Sequence, residues 1–374
     1  MRKILVVGPV PPPFGGIASL MDDIITSSIA GEYAFEVFPR SAGFPPEIRG
    51  AVGRNVFRFK RFLAFFRRVC ANSYSLVHVH SADPVFLGTT IFMALARLAR
   101  VPILLHMHGT DWTDFYANAP VFRKLYTRIG LMLPQHIVVL YPFWEQRIRE
   151  LVHRGDVATL RNFIRRTPLP PPDEVVNTRR SLGLKDEEFL VLTTGAVGWR
   201  KGSFDIVEAA SRVRLQDKKI RFVLVGGEEK HCEMDQVRDR IERRRVRQCI
   251  TLTGEVERDG IPCFLAAADV FLLPSYIEGM PISIIEAMEF GLPVISTKVN
   301  AIPDMIEDEV SGLLIDPGSP EQIARAVLRL RREKDLYARL AKGAREAFED
   351  KFEYSKGIQR IRTLLNDILG DARR

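Results

Sequence analysis

Short apolar runs alternate with amphipathic stretches along the whole chain. In the first half the runs lie at 3–8, 34–38, 76–80, 103–107 and 136–140, each short and rich in aliphatic residues. Between them, 16–30, 54–71, 84–99 and 142–153 carry apolar positions at helical spacing. The second half repeats the alternation, with runs at 189–195, 220–226, 249–253, 270–274, 293–297 and 312–315 and helical patterns at 201–214, 233–246, 257–267, 283–290 and 320–334. The last forty residues read as entirely helical. Runs without polar alternation predict strands buried on both faces. Strand–helix alternation predicts βαβ units and parallel sheets flanked by helices. The fold class is therefore α/β, with two doubly wound domains and a ligand cleft at the carboxyl ends of the strands.

Four prolines between 168 and 172 cannot sit inside a helix or a central strand. They predict a semi-rigid linker over 166–185, with a short helix near 174–182. The first domain then covers 1–165, the second 186–350, and a C-terminal segment 351–374. A length of 374 residues fits two cores better than one.

Charge and composition narrow the class. The opening apolar run stops at Gly8 and Pro9, short of a secretory signal. The longest uncharged apolar run, 84–96, is shorter than the roughly 20 residues that span a bilayer. A cytoplasmic protein without a transmembrane helix is expected. Cys70, Cys232, Cys249 and Cys263 lack metal-ligand spacing and are expected to be buried, reduced thiols. Residues 1–165 hold 20 Lys and Arg against 11 Asp and Glu, a net +9, so the chain's total of +8 leaves −1 for the rest. From Ile48 to Ala82 there is no acidic residue, and Arg54, Arg58, Lys60, Arg61, Arg67 and Arg68 interleave with Phe57, Phe59, Phe62, Phe65 and Phe66. Such a basic-aromatic helix suits an anionic membrane surface, and a domain helix with a solvated basic face would show the same pattern. The patch is local and tied to no nucleic-acid-binding motif, so a nucleic-acid partner is not expected.

Three loops carry candidate chemistry. In Gly8-Pro-Val-Pro-Pro-Pro-Phe-Gly-Gly16, Gly15 and Gly16 open a helix whose amides form an anion site, although a plain strand-to-helix turn would use the same glycines. The spacing is not that of a dinucleotide fingerprint. In Gly195-Ala-Val-Gly-Trp-Arg-Lys-Gly202, Arg200 and Lys201 sit at a helix start, where cations oppose the helix dipole. A diphosphate would resolve that conflict; a solvated charged turn is the plainer alternative. The third loop follows the 270–274 strand and reads Glu278-Gly-Met-Pro-Ile-Ser-Ile-Ile-Glu286-Ala-Met-Glu-Phe-Gly291. Pro281 suits the first helical position, Ile282 and Ser283 offer free amides, and Gly291 stops the helix. Two carboxylates eight residues apart then flank an anion-binding helix start, ready to accept hydrogen bonds from sugar and ribose hydroxyls.

This last block, with Gly-Leu-Pro-Val behind it, resembles the hallmark of glycosyltransferase family 4. The Gly15-Gly16-Ile17 loop, Lys201-Gly202, Leu224-Val-Gly-Gly227, Leu252-Thr-Gly-Glu-Val256 and Leu160-Arg-Asn162 resemble further family segments, so the likeness runs over nearly the whole chain. It implies a GT-B fold: two Rossmann-like domains facing an interdomain cleft, the first for the acceptor, the second for the nucleotide sugar. The C-terminal helix 351–374 would cross back to the first domain. It implies that Glu286 binds the ribose and Glu278 sits over the donor sugar. Gly279, Met280, Pro281, Ile282 and Ser283 would surround the distal phosphate. Lys201 and Arg200 would neutralise the diphosphate, Gly15 and Gly16 would reach it from the other domain, and Val256 would meet the base. His108, in His106-Met-His-Gly-Thr-Asp-Trp112, matches the family histidine facing the anomeric carbon, with Asp111 a secondary acceptor-side candidate. His78 and His80 read as structural residues at a strand end. Two departures stand out: Ala196 where the family often has Arg, and Asn300-Ala301 where it has Gly-Gly.

The resemblance implies a retaining, metal-independent transfer from a nucleoside-diphosphate sugar, most commonly a UDP-sugar, to an acceptor hydroxyl, with no cofactor. Without an Asp-x-Asp motif, Lys201 and Arg200 would stand in for a metal. The acceptor is expected to be a saccharide or lipid-linked saccharide of bacterial surface polysaccharide or glycolipid assembly, which fits a peripheral location on the inner face of the membrane. The alternatives are a non-catalytic nucleotide-sugar-binding or scaffold protein and a nucleotide-sugar epimerase of the same fold.

Overall fold

Two six-stranded sheets, every neighbouring pair parallel, organise the chain in a computed structural model. The structure describes residues 1–9, 16–40, 50–82, 87–109, 116, 118–152 and 156–371. Contacts group it into two units, Met1–Asn162 with Tyr354–Arg374, and Phe163–Glu353.

The first sheet holds β1 (Arg2–Gly8), β2 (Tyr33–Pro39), β3 (Tyr74–Ser81), β4 (Ile103–Met107), β5 (His136–Val139) and β6 (Asp156–Thr159), in the order β2-β1-β3-β4-β5-β6. The second holds β7 (Phe189–Thr194), β8 (Ile220–Val225), β9 (Ile250–Gly254), β10 (Val270–Leu273), β11 (Val294–Thr297) and β12 (Gly312–Ile315), in the order β12-β11-β10-β7-β8-β9. Central strands are buried end to end, as Ile4–Val7 in β1 and all of β7 and β10 show. Helices covering both faces remove the polar alternation that a half-exposed strand would need. In the second unit the Ser203–Arg214 helix lays Ile206, Val207, Ala209, Ala210 and Val213 onto a core shared with Val191, Phe222 and Leu224.

Three expectations need correction. The C-terminal forty residues are not one helical run. The Lys334–Ala347 helix passes into a wide π-turn at Phe348–Phe352, and Glu353 is extended and bridges Ile164 before the Tyr354–Asp371 helix begins. The break falls where the chain leaves the second unit for the first. Tyr354–Asp371 is anchored there by Arg362, which donates to Glu32 and Ser28, and by Asn366, which accepts from Tyr33. The proline-rich stretch, expected as a semi-rigid linker, is grouped with the second unit. Thr167 bonds Glu289, and Arg179 of the Pro172–Ser181 helix donates to the carbonyls of Ala267 and Glu188, so the segment packs into the second unit. Of the cysteines only Cys249 is buried; Cys70 and Cys232 are exposed and Cys263 half-buried, all as free thiols.

Several short or atypical elements escaped the pattern, among them β6 and the Val121–Met132 helix. β6 is four residues with one buried side chain, too short for a period. The Val121–Met132 helix carries Val121, Phe122, Leu125, Ile129 and Met132 at ordinary helical spacing, and that apolar stripe faces outward. Among the described residues no helix is long and apolar enough to cross a membrane.

Candidate functional site

In the second unit, three turns at the carboxyl ends of β7, β8 and β10 are pressed together. Gly202 caps the Ser203–Arg214 helix at φ +72°, and a Cβ there would stand 2.2 Å from the Pro274 carbonyl oxygen. Gly226, at φ +149°, lies equally close against the Gly195 carbonyl, at 2.1 Å. Only glycine fits a backbone that is both left-handed and in contact with another backbone. This crowding brings Lys201 onto the loop after β10. Its Nζ donates to Glu278 Oε1 at 2.5 Å, and the Ser275 hydroxyl donates to the same oxygen at 2.8 Å. Arg200 lies 3.8 Å from that oxygen, donates to the Ile277 carbonyl and pairs with Glu229. The pair is largely out of water, with side-chain exposures of 12% for Lys201 and 6% for Glu278.

Lys201 and Arg200 sit in the turn before the helix rather than in its first turn. The conflict between two cations and a helix start, expected to need an external anion, is met here by Glu278 and Glu229. Trp199 stacks on Tyr276, with ring centroids 4.8 Å apart, and the Tyr276 amide donates to the Arg200 carbonyl.

Beyond Glu278, the loop runs through Gly279 and Met280 to Pro281. Pro281 caps the Ile282–Glu289 helix in extended geometry instead of occupying its first position, so the helix begins one residue later than expected. The amides of Ile282 and Ser283, at its first two positions, have no acceptor within the helix. Glu286 follows one turn on. Burial pushes its carboxyl up from the ordinary value; Arg258 pulls it back, and Glu289 adds to the rise. The helix ends in a glycine cap: Gly291, at φ +68°, donates to Met288 and Leu292 donates to Ala287. Val256 follows β9, two residues before Arg258.

In the first unit, the ends of β1, β3 and β4 converge. The Arg40 amide donates to the Gly8 carbonyl, and its guanidinium donates to Ser81 and Thr89. Gly16 opens the Gly16–Ile25 helix and is exposed; Gly15 and Asp111 lie outside the described residues. His108 is buried just past β4, and a 2.9 Å hydrogen bond joins its Nε2 to His80 Nδ1. Burial drives His78 and His108 down to about 3 and holds His80 and His106 well below the ordinary range, so all four rings are neutral at pH 7.

Comparison with known proteins gives this geometry a family. Residues 175–347, which contain Lys201, Glu278 and Glu286, match the family of glycosyl transferases group 1. Residues 175–347 thus fall within the group 1 glycosyltransferases. It is 24% identical, over 79% of its length and 75% of the relative's, to N-acetyl-alpha-D-glucosaminyl L-malate synthase of Bacillus anthracis. It is 26% identical, over 83% and 80%, to the UDP-Gal:alpha-D-GlcNAc-diphosphoundecaprenol alpha-1,3-galactosyltransferase of Escherichia coli. Its fold matches sucrose-phosphate synthase of Thermosynechococcus elongatus with a TM-score of 0.80 at 18% identity, covering 99% of this chain and all of that one, which makes the architecture GT-B.

Within this glycosyltransferase the structure resolves one departure from the family pattern. Asn300, in place of a glycine, keeps the left-handed backbone at φ +46°, and its amide donates to the Glu278 carbonyl at 2.7 Å. Asparagine is among the few non-glycine residues that adopt this conformation readily. Sequence reasoning missed Arg258, Glu229 and Ser275, because a lone polar residue in a turn carries no signal until the fold places it. The basic-aromatic segment forms the Gly50–Ala71 helix and divides its phenylalanines. Phe65 is buried against Phe38 and Phe92, whereas Phe59 is 67% exposed beside Val52, Val56 and Leu63. Arg68 is drawn off to Glu36, and Arg61 lies over the Phe38 ring.

Proposed function

We propose that this glycosyltransferase moves a sugar from a UDP-sugar to an acceptor hydroxyl with retention of anomeric configuration and without a metal. The observation that carries the reading is the cluster of Lys201, Ser275 and Glu278 with half-buried Arg200, on the loop that leads into the helix start at Ile282 and Ser283. Cations and fixed amides of this kind stabilise charge that grows on a departing diphosphate. In the transfer, the bond from the anomeric carbon to the diphosphate oxygen breaks and its electron pair leaves with the diphosphate. The acceptor oxygen bonds the same face, and its proton passes to a departing phosphate oxygen. Glu278 orients the sugar and steadies the positive carbon. Glu286 accepts hydrogen bonds from the ribose, and Val256 borders the base. We assign the sugar-facing histidine role to His108, whose Nε2 is held by His80.

The relative from Escherichia coli is named for a UDP-Gal donor and an undecaprenyl-diphosphate-linked acceptor. That supports a UDP-sugar and a polyprenyl-diphosphate saccharide as the substrates here. The exposed apolar and basic side chains of the Gly50–Ala71 helix support docking on an anionic membrane surface: Val52, Val56, Phe59 and Leu63 alternate with Arg54, Arg58 and Lys60, and the helix carries no acidic residue.

The test is a transfer assay over a panel of nucleotide sugars with a polyprenyl-diphosphate saccharide, with and without EDTA. One UDP-sugar is expected to give an α-linked product unaffected by EDTA. Glu278→Gln and Lys201→Ala are each expected to lower turnover at least about 100-fold, as loss of a transition-state contact does. Full transfer by either variant overturns the site, and loss of transfer in EDTA with no accompanying fall in Tm overturns metal independence. Flotation on vesicles with and without anionic lipid tests the docking helix; equal absence of binding to both removes it.

A further inference from the structure

The four buried histidines of the first unit are arranged as more than packing. His78 and His80 sit two residues apart on β3, so both side chains leave the same face of the sheet. On the adjacent parallel strand His106 stands directly opposite His80 in the register, which places it on that face as well. One nitrogen from each of these three rings lies within 4.8 Å of the other two. His78 is almost fully buried, and His80 and His106 are completely so. Among the described residues, His78 Nε2, His80 Nε2 and both nitrogens of His106 have no hydrogen-bond partner. Orphaned buried polar atoms cost free energy and are rare in native folds, and one ion that takes a nitrogen from each ring would satisfy three of these four.

We propose that His78, His80 and His106 form a binding site for a divalent transition-metal ion of the zinc class, tying β3 to β4. Three imidazoles suit zinc, copper or nickel better than magnesium or calcium, which take oxygen ligands. A tetrahedral ion with bonds of about 2.0–2.1 Å needs its ligand nitrogens about 3.4 Å apart. Small rotations of the rings close the gap from the spacing seen here. Two residues on one strand and one on its neighbour hold the ligands on rigid elements and leave a fourth position for a solvent oxygen. The His80–His108 hydrogen bond completes the arrangement. When His80 Nδ1–H donates to His108 Nε2, the lone pair of His80 stays on Nε2 and faces the ion, the tautomer that a ligating histidine requires. The site lies outside the diphosphate cluster of the second unit and does not depend on the proposed reaction.

The test uses the full chain, produced without a polyhistidine tag. Elemental analysis of the purified protein, before and after incubation with excess zinc and desalting, is expected to give close to one zinc per chain. Replacement by cobalt(II) is expected to give the visible absorption of a low-coordinate cobalt–imidazole site. Zinc is expected to raise Tm by at least about 5 °C over the EDTA-treated protein, as tight binding to the native state alone does. His78→Gln with His106→Gln is expected to lower bound metal at least about tenfold, while His231→Gln, at an exposed histidine, leaves it unchanged. Should the double variant fail to fold, the wild-type metal content and the EDTA comparison still decide. Less than a tenth of an equivalent after reconstitution, no Tm difference with EDTA, or unchanged binding in a folded double variant each overturns the proposal.

Discussion

Replacing Lys201 by methionine separates the structural role of the Lys201–Glu278 pair from its chemistry. The substitution keeps most of the side-chain volume and removes the ammonium that donates to Glu278 Oε1 at 2.5 Å. Removing one partner of a buried pair costs about 3–5 kcal/mol, because the other charge is left uncompensated. Here the Ser275 hydroxyl at 2.8 Å and Arg200 at 3.8 Å still serve the carboxylate, which holds the cost to the lower end, about 3 kcal/mol. For a unit the size of Phe163–Glu353 that lowers its Tm by about 6–12 °C. Glu278→Gln keeps an oxygen that accepts from Lys201 and costs about 1–2 kcal/mol. Independent effects would make the double variant lose about 5 kcal/mol. With both charges gone, neither is left stranded, and the loss is expected to stay near 2 kcal/mol, a coupling of about 2–3 kcal/mol. Calorimetry of the wild type, both single variants and the double variant measures this directly. Transfer assays on the same four proteins are expected to show no recovery in the double variant. A double variant that loses the full sum of the singles refutes the claim that the pair is a closed, buried unit.

Three further changes test the surrounding geometry. Gly202→Ala sets a Cβ against the Pro274 carbonyl in a left-handed turn; urea unfolding is expected to show a loss of at least about 2 kcal/mol, and wild-type stability would contradict the close approach. Asn300→Ala removes the hydrogen bond to Glu278 while keeping a Cβ at positive φ, so it is expected to cost about 1–2 kcal/mol, with Asn300→Gly costing less because glycine relieves the backbone. Burial raises the native pKa of Glu286 above its unfolded value. Its contribution therefore favours folding below the unfolded pKa and is lost as pH rises through the native one. Glu286→Gln mimics the protonated group, so the ligand-free variant is expected to match wild type near pH 4.5 and to exceed its Tm at pH 8. The opposite ordering at pH 8 would reject burial as the dominant influence on this carboxyl.

The strands were the most readable part of the chain because burial on both faces writes itself as an unbroken aliphatic run, as in Ile4–Val7 and Val270–Leu273. Loops were readable where backbone geometry forces residue type. Gly202 and Gly291 are glycines because φ is positive, and each marks a helix end that could be placed within a residue or two. The Val121–Met132 helix has its helical period written in the sequence, but which way the stripe faces, here outward, is decided only by the fold. The break at Glu353 was lost for another reason: its cause is a bridge to Ile164, nearly two hundred positions earlier, and no local propensity encodes it.

The same distinction governs the candidate site. Lys201 and Glu278 were each visible as motif residues, but their pairing spans 77 positions and depends on two glycine turns that let separate loops touch. Read locally, two cations before a helix ask for an anion from outside. Folded, they already hold Glu278 and Glu229, so an arriving diphosphate displaces internal carboxylates rather than filling a bare cationic pocket. Its net gain is then the difference between two buried ion pairs, far smaller than the attraction of free charges. Weakening the internal pair by Glu278→Gln is accordingly expected to tighten UDP in calorimetric titration while abolishing transfer. A variant that binds UDP no better than wild type would mean that Lys201 does not have to leave Glu278 to meet the nucleotide.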